Sequence, residues 1–292
     1  MVLEELHITS DQLKEGLVVP VDKPRGWSSF QVVNKLRWQI KRELDIKKFK
    51  IGHAGTLDPL ASGLLLVCVG PATKRIAELQ EGEKTYVGTM VLGATTPCYD
   101  LERAVDVFYP VAQIDEAVLD ATRQQFVGSQ LQVPPMFSAV KMNGQRAYVA
   151  ARGQAAKQAK EHPACKADNV SGNVNLVREK NVTIYQLDIT AYRKGITVWK
   201  DPCLGIPGFT PGQPVDDVPR PPVPSTQLYR TPLGIVPNWL PQIDFVVRCS
   251  KGTYIRSLAR DFGLSLGSGA FLSSLRRTQI GIYAISSAYT LS

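Results

Sequence analysis

Apolar residues recur along this chain in two rhythms. From Phe30 they return at Val33, Leu36, Ile40 and Leu44, the three- and four-residue steps of an amphipathic helix. Ser28, with Gln31 three residues later, has capping-box spacing and predicts where that helix begins. Leu64–Val69 is an unbroken apolar run of strand length, and Lys84–Leu92 is β-branched and aromatic enough to form another strand. A helical period runs over Gln113–Phe126 through Ile114, Val118, Ala121 and Gln125, stopped by Gly128. Gln132–Lys141 reads as extended, turning at the hairpin signal Asn143-Gly144, and Arg146–Gly153 as the start of a short helix. Further on, Ile243, Phe245, Val247 and Cys249 alternate as in a strand, and Tyr254–Leu266 is helical up to Gly267. Isolated helices, no βαβ rhythm and long gaps between strands predict an α+β fold. Its central sheet is expected to be mixed, mostly antiparallel, and flanked by helices and loops.

Two stretches break these rhythms. Residues 154–178 are Ala/Lys-rich and then polar, with no amphipathic face. Residues 201–241 hold eleven of the chain's twenty prolines, a density excluded from helix interiors and central strands. Both read as insertions in a single catalytic domain spanning 1–292, the second as an extended excursion outside the core.

Composition narrows the class. With 44% hydrophobic and 21% charged residues the chain is globular rather than disordered. No apolar run approaches the roughly 20 residues of a membrane span. The polar, acidic start MVLEELHITSDQLKEG is not a signal peptide, so a cytoplasmic location without membrane contact is expected. Five cysteines without a CxxC pair fit a reducing compartment, and Cys68 and Cys249 read as small buried residues. Three histidines without ligand spacing predict no metal site. The net charge is +8, of which residues 35–50 contribute +5: Lys35, Arg37, Lys41, Arg42, Lys47, Lys48 and Lys50 against Glu43 and Asp45. Such a cluster is either a solvated helix face or a surface for nucleic-acid phosphates.

Several chemistries are set aside. There is no GxxxxGK[ST] phosphate loop, no GxSxG elbow and no cluster of metal ligands. What remains is Asp58, with Gly55 three residues before it and Pro59 directly after. The proline disfavours helical backbone at Asp58, and a carboxylate in a stiff loop is well placed for catalysis. Taken alone, an Asp before Pro is more often a turn residue.

Seven segments read together go further. In order they are DKPRGWSS (22–29), GHAGTLDPLASGLL (52–65), GPATK (70–74), EKTYVGTMVLGATT (83–96), VPPMFSAVKMNGQRAY (133–148), CSKGTYIRSLARDFG (249–263) and GSGAFLSSLRRTQIGIY (267–283). They resemble the motifs of the TruB family of tRNA pseudouridine-55 synthases across 17–153, 179–194 and 243–285. The resemblance implies the pseudouridine synthase fold and assigns residues by motif. Asp58 resembles the catalytic aspartate, and His53 a residue near the flipped RNA. Tyr86 resembles the aromatic that stacks on the target uracil. Tyr254 and Arg256 resemble an active-site tyrosine and an arginine that ion-pairs with the aspartate. Leu275 aligns with a leucine lining the uracil pocket, and Lys23 with a lysine giving structural and electrostatic support.

The implied reaction breaks the N1–C1′ bond, turns the uracil and joins C5 to C1′. It involves neither redox change nor group transfer, so no cofactor is expected. A single carboxylate suffices, as nucleophile at the ribose or as base at C2′. The substrate implied is the T-arm of tRNA, with the basic helix gripping phosphates and no obligate protein partner. Insertion 154–178 falls where the family has an RNA-clamping loop. The chain ends about ten residues after IGIY, so the C-terminal PUA domain of many members is expected to be missing. Two rival readings are a tRNA-folding chaperone with secondary catalysis and a uridine glycosylase that releases free uracil.

Overall fold

The structure, a computed structural model, describes residues 7–135, 141–142, 145–146, 179–195, 228–231, 234–237 and 239–291. The helices are α1 (Ser10–Glu15), α2 (Ser29–Leu44), α3 (Ile76–Glu81), α4 (Glu116–Gln125) and α5 (Ile255–Ser265). The strands are β1 (Leu17–Lys23), β2 (Ile51–Ala54), β3 (Ser62–Val69), β4 (Lys84–Leu92), β5 (Ala94–Thr95), β6 (Val107–Phe108), β7 (Gly128–Gln132) and β8 (Lys141–Met142). They continue with β9 (Gln145–Arg146), β10 (Lys180–Arg193), β11 (Leu228–Thr231), β12 (Gly234–Pro237), β13 (Gln242–Cys249), β14 (Ala270–Ile280), β15 (Tyr283–Ala284) and β16 (Tyr289–Thr290).

Ten strands hydrogen-bond in the order β16-β1-β3-β14-β4-β13-β10-β7, with β2 beside β3 and β15 beside β14. The pairs β1–β3, β2–β3, β7–β10 and β14–β15 are antiparallel, whereas β14 meets β3 and β16 meets β1 in parallel. The sheet is therefore mixed, and its antiparallel character dominates, as the sequence predicts.

The chain divides into two compact units. The first comprises Met1–Gly88, Val246–Lys251 and Ser274–Ser292. Here the α2 capping box forms as expected: Ser28 Oγ accepts from Gln31 N at 3.2 Å, and Gln31 Oε1 accepts from Ser28 N at 2.7 Å. Val32, Val33, Leu36 and Ile40 of α2 pack with Val19, Val21, Leu65, Val67 and Val69 on one face of β1 and β3. Leu64, Leu66 and Cys68 pack on the opposite face with Leu79 and Ile280. Burial on both faces is why β3 reads as a continuous apolar run rather than an alternation. Phe30 departs from the expected stripe, being 60% exposed. The buried stripe passes through Ser29, and the next residue lies about 100° further round the helix.

The second unit comprises Thr89–Phe245 and Gly252–Ser273. Helix α4 begins at Glu116, three residues later than Gln113, because Asp115 caps it by accepting from Val118 N at 2.8 Å. Its buried residues are Leu119 and Thr122, so Val118, Ala121 and Gln125 face outward and the expected phase is corrected by one position. Strand β13 and helix α5 fall where the alternation and the glycine stop place them. Within 201–241, β11 and β12 pair antiparallel, so the excursion carries a small ladder of its own. The expected helix at 146–153 and the insertion 154–178 lie outside the described residues from 147 onward, as does 201–227. Strands β8 and β9 pair across Asn143-Gly144. Cys68 and Cys249 are buried, and so is Cys98.

Candidate active site

In the first unit a seven-residue loop, 55–61, joins β2 to β3 and carries Asp58. The hairpin ladder runs from Ile51↔Val69 to Ala54↔Leu66 and then opens. On the edge of β3 thus released, β14 takes over in parallel, pairing Arg276 with Ser62 and Arg277 with Gly63. Gly55 permits the departure, with φ +92°. Gly63 has φ +99°, and a Cβ there would stand 2.2 Å from the Arg277 carbonyl oxygen.

The residues on either side of Asp58 are pinned. Ser29 Oγ accepts from Leu57 N at 3.0 Å and donates to Leu57 O at 3.2 Å. Pro59 O accepts from Gly26 N at 2.8 Å and from Lys23 Nζ at 3.3 Å. Asp58 itself is half-buried, and its carbonyl accepts from Ala61 N at 3.1 Å. A carboxylate held this way has lost most of its backbone freedom before any substrate arrives, which is the preorganisation that catalysis exploits.

Lys23 is fully buried, and Nζ also donates to Pro24 O at 3.1 Å and Trp27 O at 2.6 Å. Desolvation lowers its pKa to about 8, with Arg277 adding to the effect and Asp58 and Asp22 opposing it. Arg277 is buried as well. Its Nε donates to Leu64 O at 2.8 Å and Nη2 to Gly55 O at 3.0 Å, so one guanidinium ties β3 to the start of the Asp58 loop. Its Cζ lies 6.0 Å from the centroid of Tyr86. Tyr86 is buried to 8% exposure, and that burial pushes its hydroxyl pKa up. His53 stands on β2 opposite Val67. Leu275 is half-buried on β14, and its neighbour Arg276 makes a bidentate pair with Asp22 at 3.1 and 2.6 Å. Lys23, His53, Asp58, Tyr86 and Leu275 thus all lie in the first unit, and Lys23 and Tyr86 lie close enough to Asp58 to feel its charge.

Tyr254 and Arg256 lie in the second unit. Gln132 of β7 brackets the Tyr254 backbone: Oε1 accepts from Tyr254 N at 2.7 Å and Nε2 donates to Tyr254 O at 3.1 Å. Lys180 Nζ sits 5.5 Å from the Tyr254 ring centroid. Arg256 is buried; Nη1 donates to Cys98 O at 3.2 Å, and Nε is 3.8 Å from Asp100 Oδ2. Asp100 is fixed in turn, accepting from Glu102 N at 2.9 Å through Oδ1. Between Cys98 and Asp100, Tyr99 adopts φ +58°, a conformation that costs a non-glycine residue energy and clusters at functional sites. Burial pushes the Cys98 thiol up to about 12, so it stays protonated.

Sequence reasoning did not find Ser29, Asp100, Gln132 or Arg277. Each acts on a partner far along the chain, Ser29 over 28 residues and the other three over more than 100. Arg277 alone left a local sign, as one of two adjacent arginines inside the otherwise strand-like run Ala270–Ile280. Among the described residues, no group of three or more His, Cys, Asp or Glu is placed to hold a metal ion.

The chain superposes on a Cbf5-Nop10-Gar1 complex with a TM-score of 0.52 and 22% identity, over 99% of this chain and 59% of that one. It thus spans about three-fifths of that chain and shares its fold. A family model described as TruB family pseudouridylate synthase (N terminal domain) matches residues 41–171. The tRNA pseudouridine synthase B of Flavobacterium johnsoniae is 40% identical over 282 residues, 96% of this chain and 95% of that one. That of Phocaeicola vulgatus is 38% identical over 268 residues, 92% and 87% of the two chains. This chain belongs to the TruB family.

Proposed function

We propose that the protein isomerises uridine to pseudouridine at position 55 in the T-loop of tRNA, with Asp58 as the catalytic carboxylate. The observation that carries this reading is the double pinning of the Asp58 loop, through Ser29 at Leu57 and through Gly26 and Lys23 at Pro59. The names of the two relatives support the reaction and the tRNA substrate.

In this reading Asp58 acts on the ribose, at C1′ or at C2′, as the N1–C1′ bond breaks. The uracil turns, C5 bonds to C1′, the C5 proton leaves with help from Tyr254, and N1 takes up a proton. His53, Tyr86 and Leu275 bound the space for the extruded base, whose unstacking an aromatic contact offsets. Arg256 and Lys23 supply positive charge around the carboxylate.

The test is Asp58→Asn, which keeps the shape of the side chain and removes the anion. Wild-type protein on an unmodified tRNA transcript is expected to form pseudouridine without releasing uracil. The variant is expected to form none measurable, with tRNA affinity equal or better and unfolding unchanged. A variant retaining a tenth of the rate, a barrier difference of only about 1.4 kcal/mol, overturns the role of Asp58. Free uracil from the wild type makes the protein a glycosylase, and tRNA refolding without pseudouridine makes it a chaperone.

A further inference from the structure

Helix α2 has an outer face that the reaction does not use. Against the buried stripe of Val32, Val33, Leu36 and Ile40, Trp38 projects outward and is 53% exposed. Cations surround it. Arg42 Cζ lies 4.6 Å and Lys35 Nζ 5.9 Å from the ring centroid, and Lys41 is exposed on the same face. Within α2 the only acidic residue is Glu43. Phe30, also exposed, adds a second aromatic near the start of the helix.

Two chemistries coincide here. The cations select a polyanion, and an exposed indole offers a flat face that any nucleobase can stack on, with flanking cations free to move to the neighbouring phosphates. An acidic protein surface would fit the same two features, and the RNA substrate proposed above decides for a nucleotide. The helix also starts at the Asp58 loop, because Ser29 is bonded to Leu57. Trp38 stands nine residues beyond Ser29, roughly 14 Å along the axis at 1.5 Å per residue. An RNA engaged at Asp58 and running along α2 would reach it.

We infer that Trp38 is a stacking platform for an unpaired nucleotide of the RNA substrate, with Arg42 and Lys35 serving the adjacent phosphates. This rests on the proposed RNA substrate and adds a contact that is separate from the uridine site.

The test compares Trp38→Ala, Trp38→Phe and Arg42→Ala in equilibrium binding of an unmodified tRNA transcript over a series of salt concentrations. Trp38→Ala is expected to weaken binding at least fivefold at every salt concentration, leaving the slope of log K against log salt unchanged. Trp38→Phe should recover most of that loss, since a phenyl ring still stacks. Arg42→Ala should instead flatten the slope, because it removes a phosphate contact. Wild-type affinity in Trp38→Ala overturns the proposal. So does a loss that Phe fails to rescue, and so does a flattened slope in Trp38→Ala, which would mean that the indole only props up its cations. Failure of the proposed reaction shows separately, as absent pseudouridine in the wild-type protein while this binding pattern persists.

Discussion

Replacing Lys23 by Met keeps the length of a buried side chain and deletes its charge. In the folded state the lysine's pKa is lowered from 10.5 to about 8, mainly by desolvation. At 1.36 kcal/mol per unit that is a penalty of about 3 kcal/mol for holding the ammonium. Against it stand three hydrogen bonds, to the carbonyls of Pro24, Trp27 and Pro59, worth roughly 1 kcal/mol each net. Methionine offers these carbonyls no donor, and a buried acceptor left unpaired costs about 1–3 kcal/mol, so wild type should keep an advantage of up to about 3 kcal/mol at pH 7.

The balance changes at alkaline pH. Between about pH 8 and 10.5 the unfolded chain holds the Lys23 proton and the folded protein does not, so stability rises with pH. This contribution is complete above pH 10.5 and is lost as pH falls through about 8. The methionine variant has no proton to release at this position. The advantage of wild type over the variant should therefore grow by about 3 kcal/mol across that window, with a slope approaching 1.36 kcal/mol per pH unit. Urea unfolding of both proteins at pH 7, 8, 9 and 10 measures it, and every other titrating group cancels in the difference. An advantage that is the same at pH 7 and pH 10 refutes the reasoning, because Lys23 would then titrate alike in both states.

Lys47, Lys48 and Lys50 are all exposed, and changing them together to Ala should weaken tRNA binding and flatten its salt dependence by up to three phosphate contacts. An unchanged slope in a salt titration would make the patch a solvated surface. Gly63→Ala places a Cβ at φ +99° and 2.2 Å from a backbone oxygen, so it should cost more than about 3 kcal/mol; a thermal midpoint within a degree of wild type would contradict the close β3–β14 approach.

Much of the fold was legible because its signals are local. A capping box and an apolar stripe place α2 within a residue, and alternation places β13, since each depends only on neighbours along the chain. Where the reading slipped, position relative to a distant partner decided. Phe30 and Val118 are apolar at a near-helical interval, yet each faces away from the buried stripe of its helix. The site divides in the same way. Asp58 and its glycines show as a motif, and the resemblance supplies roles for Tyr254 and Arg256. The groups that brace them do not show. Asp100 beside Arg256, Gln132 around Tyr254 and Arg277 across Gly55 are ordinary polar residues until folding brings them together over 122 to 222 residues.

The exchange of partners on the edge of β3 bears on how the protein is made. Ser62 and Gly63 emerge from the ribosome 214 residues before Arg276 and Arg277, a delay of roughly 10–40 s at usual translation rates. Throughout that interval the edge of β3 lacks its parallel neighbour, and Gly55 lacks the guanidinium that holds its carbonyl. The Asp58 loop is therefore among the last parts of the chain to take its final shape. A nascent chain carries Asp58 long before the loop around it is complete, and a ribosome stalled before β14 leaves an apolar strand edge open to aggregation.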